Sequence, residues 1–182
     1  MKGKIFGSIL SALILAIAPG VSGAAEKGGQ GAAPQITVFF AAPEVSPGET
    51  WKIFLKASDP NGDMRYIVAT VRQAGVGVYP VSFTRIREEN GKELSGYVYL
   101  NTFSGSHSHS LLYYGLTLTL WVQDRAGNFS NPVDVNMTFG SRVEAQQAPP
   151  AGTYKNQDLG PIMISLRPMS AQNDSGHFGN SP

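Results

Sequence analysis

Apolar and polar residues alternate along two consecutive stretches in the second half of the chain. Residues 116–123 place Leu or Val at every second position, and residues 133–139 place Val, Met or Phe at every second position. This period of two is typical of half-buried strands. A turn containing Gly127 separates the two stretches, so residues 115–139 are predicted to form an antiparallel hairpin. One hairpin cannot bury its apolar face alone, and further strands must cover it.

The same alternation predicts five further strands before this hairpin. They cover residues 36–40, 51–58, 66–71, 76–86 and 94–100. The third is apolar on both faces, which favours a central position, whereas Pro80 favours an edge or a bulge for the fourth. About seven short strands without a helical period predict an all-β fold, specifically an immunoglobulin-like antiparallel β-sandwich over residues 34–140. An up-and-down barrel is the alternative.

The N-terminal residues have the three-part layout of a secretory signal peptide. Lys2 and Lys4 precede an apolar run over residues 5–17, and small residues follow at positions 22–25. The apolar run is shorter than the ~20 residues that a membrane-spanning helix needs; an uncleaved anchor is the alternative. We therefore expect residues 1–25 to be removed, leaving no membrane span, and we expect the protein in the periplasm, at the cell surface or outside the cell.

A Gly-rich linker, residues 26–33, and a C-terminal tail, residues 141–182, flank the predicted sandwich. The tail is rich in Pro, Gly, Gln, Asn and Ser, a composition typical of disorder. It contains a short β-prone island at residues 161–167, which could add as a strand to a sheet edge of its own domain or of a partner. The island residues that would face one way are Ile162, Ile164 and Leu166. The alternative is a disordered tail with a chance apolar island.

Two stretches resemble known β-sandwich modules. The sequence LWVQDRAGNFSNPVDV resembles the closing hairpin of fibronectin type III and bacterial immunoglobulin-like modules, in which a strand ends in Asp-x-x-Gly-Asn-x-Ser. The sequence ASDPNGDMRYIVATV is similar to the passage from the second to the third strand of bacterial cadherin-like modules. The resemblance covers roughly residues 34–140 and implies an immunoglobulin-like sandwich.

Two loops carry side-chain oxygens suited to calcium. Asp59, Asn61 and Asp63 stand at alternate positions in one loop, and Asp124 and Asn128 flank the turn of the hairpin. These two loops lie at the same end of a sandwich, and Ca²⁺ takes 6–8 oxygen ligands. The sequence therefore suggests calcium as a cofactor. The alternative is that these residues only stabilise tight turns, for which Asp and Asn are preferred.

Four aromatic residues are predicted on strand faces opposite the core: Trp121, Tyr97, Tyr99 and Phe54. Exposed aromatic rings on a sheet can stack on sugars or form a protein interface. The alternative is cross-strand packing that shields the sheet.

Composition and motifs give little support to catalysis or nucleic-acid binding. The net charge is +1, without the clustered basic patch that nucleic acid requires, and there is no cysteine for a disulfide or a thiolate metal site. The sequence contains no Gly-x-Ser-x-Gly motif, no His-Glu-x-x-His motif and no phosphate-cradling glycine loop. His107 and His109 offer two imidazoles, but a catalytic zinc normally needs three protein ligands, which favours a polar loop.

The sequence therefore predicts an exported, non-catalytic structural or interaction module of a cell-surface or extracellular assembly. A protein partner contacted through the sheet faces, the loops or the tail is expected. A glycan-binding accessory module is the alternative. A small secreted hydrolase that uses Asp59 and Asp63 as its two carboxylates is a distant third.

Overall fold

The computed structural model describes residues 31–103, 115–140 and 145–167. These residues form ten β-strands and one short 3-10 helix at Glu88–Asn90. The strands are β1 (Gln35–Ala41), β2 (Glu44–Val45), β3 (Thr50–Ser58), β4 (Met64–Gln73), β5 (Gly77–Val78), β6 (Ser82–Arg85), β7 (Glu93–Asn101), β8 (Gly115–Asp124), β9 (Val133–Phe139) and β10 (Asp158–Pro161). The predicted all-β class is confirmed. The predicted signal peptide lies outside the described residues.

Two sheets enclose a single apolar core, in the manner of a sandwich. The first sheet has the strand order β1-β3-β7-β10, and the second has the order β2-β9-β8-β4-β5, with β6 also paired to β4. Most neighbouring strands are antiparallel, but β10 runs parallel to β7 and β2 runs parallel to β9. These two short parallel pairs depart from the purely antiparallel arrangement that the sequence predicts.

The strands form where the sequence alternates, because every second side chain enters the core. The burial of β8 and β9 alternates along their whole length, and the two strands pair from Gly115 opposite Thr138 to Leu120 opposite Val133. The predicted hairpin is thus confirmed. β4 is buried on both faces over Ile67, Val68 and Ala69 and lies between β8 on one side and β5 and β6 on the other, as its apolar sequence indicates.

The predicted strand over residues 76–86 is two short strands in the structure. β5 and β6 both pair with β4, and residues 79–81 lie between them. Pro80 has no N–H to donate to a ladder and fixes its own φ, so a continuous strand cannot pass through it. Gly75 and Gly77 adopt positive φ, which bends the chain immediately before Tyr79.

The sandwich extends beyond residue 140, where the sequence analysis ended it. β10 adds to β7 as the fourth strand of the first sheet, and Ile162 and Leu166 are buried in the core. The polar composition around this segment suggested a disordered tail, because composition does not register a long-range contact with a sheet edge.

Trp51 lies in the core next to the chain segment that leads from the first sheet to the second. Its side chain is completely buried, and its indole Nε1–H donates a hydrogen bond of 2.9 Å to the carbonyl oxygen of Ala42. Ala42 lies between β1 in the first sheet and β2 in the second. A buried carbonyl at this crossing needs a donor, and Trp51 provides it.

Replacing Trp51 by Phe should lower the free energy of unfolding by about 2–4 kcal/mol, because it leaves both a cavity and an unsatisfied carbonyl. The matched control is Trp121→Phe on the half-buried outer face, which should change stability by no more than about 0.5 kcal/mol. Urea unfolding of both variants, followed by circular dichroism, measures the difference. Equal losses in the two variants would contradict this account of Trp51.

Candidate functional site

The five predicted calcium ligands meet at one end of the sandwich, where β3 passes into β4 and β8 turns towards β9. The backbone N–H of Arg125 donates to the carbonyl of Asp63 at 3.1 Å, which joins the two loops. Asp59 and Asp124 are both almost completely buried. The prediction that the loops lie together is confirmed.

The carboxylates of Asp59 and Asp124 each bind donors of their own loop. Asp59 accepts the backbone N–H groups of Asn61 and Asp63 at 3.0 and 3.1 Å, one on each oxygen. Asp124 accepts the backbone N–H and the side-chain amide of Asn128, both at 2.8 Å. The contact from Asn61 to Asp59 is an Asx-turn, and the contacts from Asp63 and Asn128 close loops four residues long.

The two asparagines hold the segment that precedes β1. The side-chain amide of Asn61 donates to the carbonyl of Ala32 at 3.0 Å, and that of Asn128 donates to the carbonyl of Gly31 at 3.4 Å. Sequence reasoning missed this role, because nothing local to either asparagine indicates a partner so far away along the chain. The acidic end of the sandwich therefore anchors the beginning of the described chain.

Asp63 differs from the other members of this cluster in its hydrogen bonding. Among the described side chains, its Oδ1 is a buried oxygen without a hydrogen-bond partner. A hydrogen bond with Asp59, followed by burial and by the negative charges of Asp59 and Asp124, raises the pKa of Asp63 above its ordinary value. Within the described ranges, no group of three or more acidic, His or Cys side chains is arranged to hold a metal ion. His107 and His109 lie outside those ranges.

The four predicted surface aromatics lie on two different sheets, so they cannot form one surface. Phe54, Tyr97 and Tyr99 belong to β3 and β7 of the first sheet, whereas Trp121 belongs to β8 of the second. All four are half-buried. The alternation of a strand places a residue on an outer face, but it does not indicate which sheet the strand joins.

The chain itself covers the aromatics of the first sheet. The Tyr154 ring lies 5.6 Å from that of Phe54, which in turn lies 5.4 Å from that of Tyr97. The ammonium group of Lys52 lies 4.5 Å above the Tyr97 ring. These contacts give the rings of Phe54, Tyr97 and Tyr154 a packing role on this face.

The outer face of the second sheet also carries aromatic residues. The register places Phe83, Val68 and Trp121 in one row across β6, β4 and β8. Tyr66 joins them, with its ring edge-on to that of Phe83 at 5.8 Å. Val68 itself is buried, and we call Phe83, Tyr66 and Trp121 the outer aromatic patch. Phe83 is 54% exposed.

Two arginines border the outer aromatic patch. Arg85 lies opposite Tyr66 in the register, and the guanidinium of Arg65 lies 5.1 Å above the Tyr66 ring. Both line a cleft of about 310 Å³ next to Asp63. The patch thus combines aromatic rings with a positively charged border.

Sequence reasoning missed Phe83 because the burial of β6 is inverted. Its polar residues Ser82 and Thr84 face inwards and are buried, whereas Phe83 and Arg85 face outwards. The sequence did contain a sign of this orientation. Ser and Thr alternate with Phe and Arg in β6, a pattern that fits a strand whose inward side chains contact polar backbone groups.

The strand that adds to the edge of β7 is β10 (Asp158–Pro161), so it ends where the predicted edge-adding residues Ile162, Ile164 and Leu166 begin. Ile162 and Leu166 are buried and Ile164 is half-buried, whereas Met163 and Ser165 are exposed. We call residues 157–167 the strap. It crosses from the edge of β7 in the first sheet to β6 in the second.

The sequence matches no protein-family model, and no curated protein is significantly similar to it. Within the described part of the chain, no helix is long and apolar enough to cross a membrane. The fold and its contacts are therefore the basis for a functional proposal.

Replacing Asp63 by Asn should raise the melting temperature at pH 7, because the amide removes a negative charge beside Asp59 and Asp124. The gain should be no more than about 1 kcal/mol, or about 2–4 °C for a chain of this size, since solvent screens the pair.

The gain should also depend on pH. Because folding raises the pKa of Asp63, the folded chain binds more protons than the unfolded chain between the ordinary pKa of about 3.9 and the raised value. The contribution of Asp63 to stability is therefore complete below this window and is lost as pH rises through it. Melts from pH 3 to pH 7 should show the advantage of the variant shrinking on acidification. An advantage that does not vary with pH would contradict the charge repulsion.

Calcium binding at these loops stays a prediction, and thermal melts test it. An ion bound only to the folded state adds about 2.7 kcal/mol at a hundred times its Kd. If calcium binds, the melting temperature rises with millimolar CaCl₂ and Asp63→Asn abolishes the rise, whereas Asp134→Asn on the exposed face of β9 does not. An unchanged melt of the native chain would leave the five residues with their turn contacts alone.

Proposed function

We propose that this chain is an exported, non-catalytic interaction module that binds a protein partner through the outer aromatic patch. The observation that carries the proposal is the grouping of Phe83, Tyr66 and Trp121 on one outer face of the second sheet. Phe83 is 54% exposed there, with its ring 5.8 Å from that of Tyr66. Exposed apolar surface on a sheet costs solubility, and interaction sites are where proteins retain it.

The residue types of the patch favour a protein partner. Trp, Tyr and Arg are the residues most enriched at the energetic centres of protein interfaces. Trp121 and Tyr66 supply the rings, and Arg65 and Arg85 supply the guanidinium groups. A positively charged border selects partners that present acidic groups beside an apolar centre.

The N-terminal sequence supports the exported location. Lys2 and Lys4, the apolar run of residues 5–17 and the small residues that follow have the layout of a signal peptide. On this proposal the module acts in the periplasm, at the cell surface or outside the cell.

One observation favours a glycan as the second candidate ligand. Thr70 and Thr119 face each other on the outer face of the second sheet, and Gln123 lies opposite Tyr66. Hydroxyl and amide groups beside a tryptophan can bind sugar hydroxyls while the ring stacks on the sugar.

Replacing Phe83 by Ser should abolish capture of the partner without unfolding the domain. Loss of an interface hot spot of about 2 kcal/mol weakens binding roughly 30-fold. The matched control is Phe39→Ser in β1, because Phe39 is 47% exposed at the edge of the first sheet. The purified chains are immobilised and exposed to envelope and medium fractions of producing cells, and the captured proteins are compared by mass spectrometry.

Three outcomes separate the candidates. A protein retained by the native chain and by Phe39→Ser but lost with Phe83→Ser supports the proposal. Capture that is equal in all three chains contradicts it. Retention on a polysaccharide gel that Trp121→Ala removes, in the absence of a captured protein, favours the glycan instead.

A further inference from the structure

The strap lies in a cleft built to bind an extended backbone. It begins as a parallel addition to β7, in which the N–H of Tyr97 donates to the carbonyl of Gln157 at 2.9 Å and the N–H of Ile162 donates to the carbonyl of Tyr99 at 2.7 Å. These are the hydrogen bonds of strand addition, a general mode of peptide recognition. We call the surface that holds the strap the seat.

Two buried hydroxyls of β6 bind the backbone of the strap. Thr84 donates its hydroxyl to the carbonyl of Pro161 at 2.6 Å, and the hydroxyl of Ser82 accepts the N–H of Met163 at 2.8 Å. Ser82 and Thr84 are 3% and 7% exposed. The inverted burial of β6 follows from these contacts, because its inward side chains must satisfy polar backbone groups.

A second pair of buried side chains holds the end of the strap. The N–H of Arg167 donates to the hydroxyl of Tyr79 at 2.7 Å, and the amide of Gln73 donates to the carbonyl of Arg167 at 3.0 Å. Tyr79 and Gln73 are themselves hydrogen-bonded to each other. Without a strap these buried groups would lose their partners, which is costly in an apolar surrounding.

Three apolar side chains of the strap occupy defined positions in the seat. Ile162 and Leu166 enter the core, and Leu159 packs over Gly96 of β7. A Cβ on Gly96 would lie 2.5 Å from the carbonyl oxygen of Gln157 and 2.9 Å from Leu159 Cγ, so only glycine leaves room for the strap. The seat therefore fits a segment with apolar residues at these three positions and a glycine at position 160, where φ is +124° and a Cβ would lie 2.7 Å from Thr84 Cγ2.

The connector before the strap is long enough to reach another molecule. Residues 141–156 separate the end of the second sheet from the strap, and they span about 55 Å when extended. The described part of the connector lies on the surface, where Gln146 binds the carbonyl of Thr50 at 2.8 Å and Lys155 binds the Ser95 hydroxyl at 3.1 Å. Besides these exposed hydrogen bonds, the Tyr154 ring of the connector packs 5.6 Å from the ring of Phe54.

We propose that the seat accepts the strap of a second copy of this chain, so that two copies exchange straps. Every contact of strap and seat is the same within one chain and between two chains, and only the path of the connector differs. The balance between the two forms is then set by the effective concentration that the connector imposes. This inference does not depend on the outer aromatic patch.

Complementation between two full-length variants tests the exchange. Gly96→Val blocks the seat of its own chain but keeps a native strap. The double variant Ile162→Asp, Leu166→Asp keeps a native seat but has a strap that cannot enter it. Light scattering after size exclusion should find each variant monomeric alone and a 1:1 dimer in the mixture. A mixture that stays monomeric, with both variants folded by near-ultraviolet circular dichroism, would overturn the proposal.

A peptide arm tests the seat directly and supplies a matched control. A labelled peptide of residues 156–168 should bind the double variant at least 10-fold more tightly than the native chain, whose own strap competes. A peptide carrying Met163→Asp should bind equally well, because Met163 is 74% exposed, whereas one carrying Ile162→Asp should not bind. Equal binding of the Met163→Asp and Ile162→Asp peptides would contradict the seat.

If either variant fails to fold, the native chain decides the question. The sequence has no cysteine, so Met163→Cys gives one exposed labelling position. Donor-labelled and acceptor-labelled chains, incubated together at high concentration, should develop energy transfer that excess unlabelled native peptide of residues 156–168 suppresses. Absence of transfer, or transfer that the peptide does not affect, would overturn strap exchange.

Discussion

Much of this structure depends on one requirement. The side of the sandwich between β7 and β6 has sheet edges that must be covered. The edge of a sheet exposes unpaired N–H and C=O groups and invites association. Here the strap closes that side by pairing with β7 and by binding the hydroxyls of β6. The absence of a side chain at Gly96 and the buried polar side chains of β6 follow from the same requirement, because a backbone must lie there.

Within the described residues, the C-terminal segment packs on aromatic rings of the outer face of the first sheet. Tyr154 packs on Phe54 of the first sheet on its way to the strap. Phe83 on the outer face of the second sheet is 54% exposed. The path that leads to the strap therefore also determines which aromatic rings of the first sheet are packed against the chain.

The sequence predicts those elements whose pairing partners are close along the chain. It does not predict the orientation of an element that depends on contact with a distant segment. The hairpin of β8 and β9 and the central place of β4 were predictable, because apolar alternation and a local turn specify them. The meeting of Asp59 with Asp124 was predictable from the connectivity of a sandwich. The orientation of β6 was not, since Ser82 and Thr84 are buried only because the strap lies against them.

The two ends of the described chain leave the sandwich at opposite ends of β4. Gly31 is held by Asn128, close to the start of β4 at Met64, and Arg167 is held by Gln73 at the end of β4. A ten-residue strand at ~3.3 Å per residue separates these points by about 30 Å. Tension applied between the two ends is therefore directed along the strands and loads the ladder hydrogen bonds together. Pulling on the domain through these two points would load its strand pairs in shear.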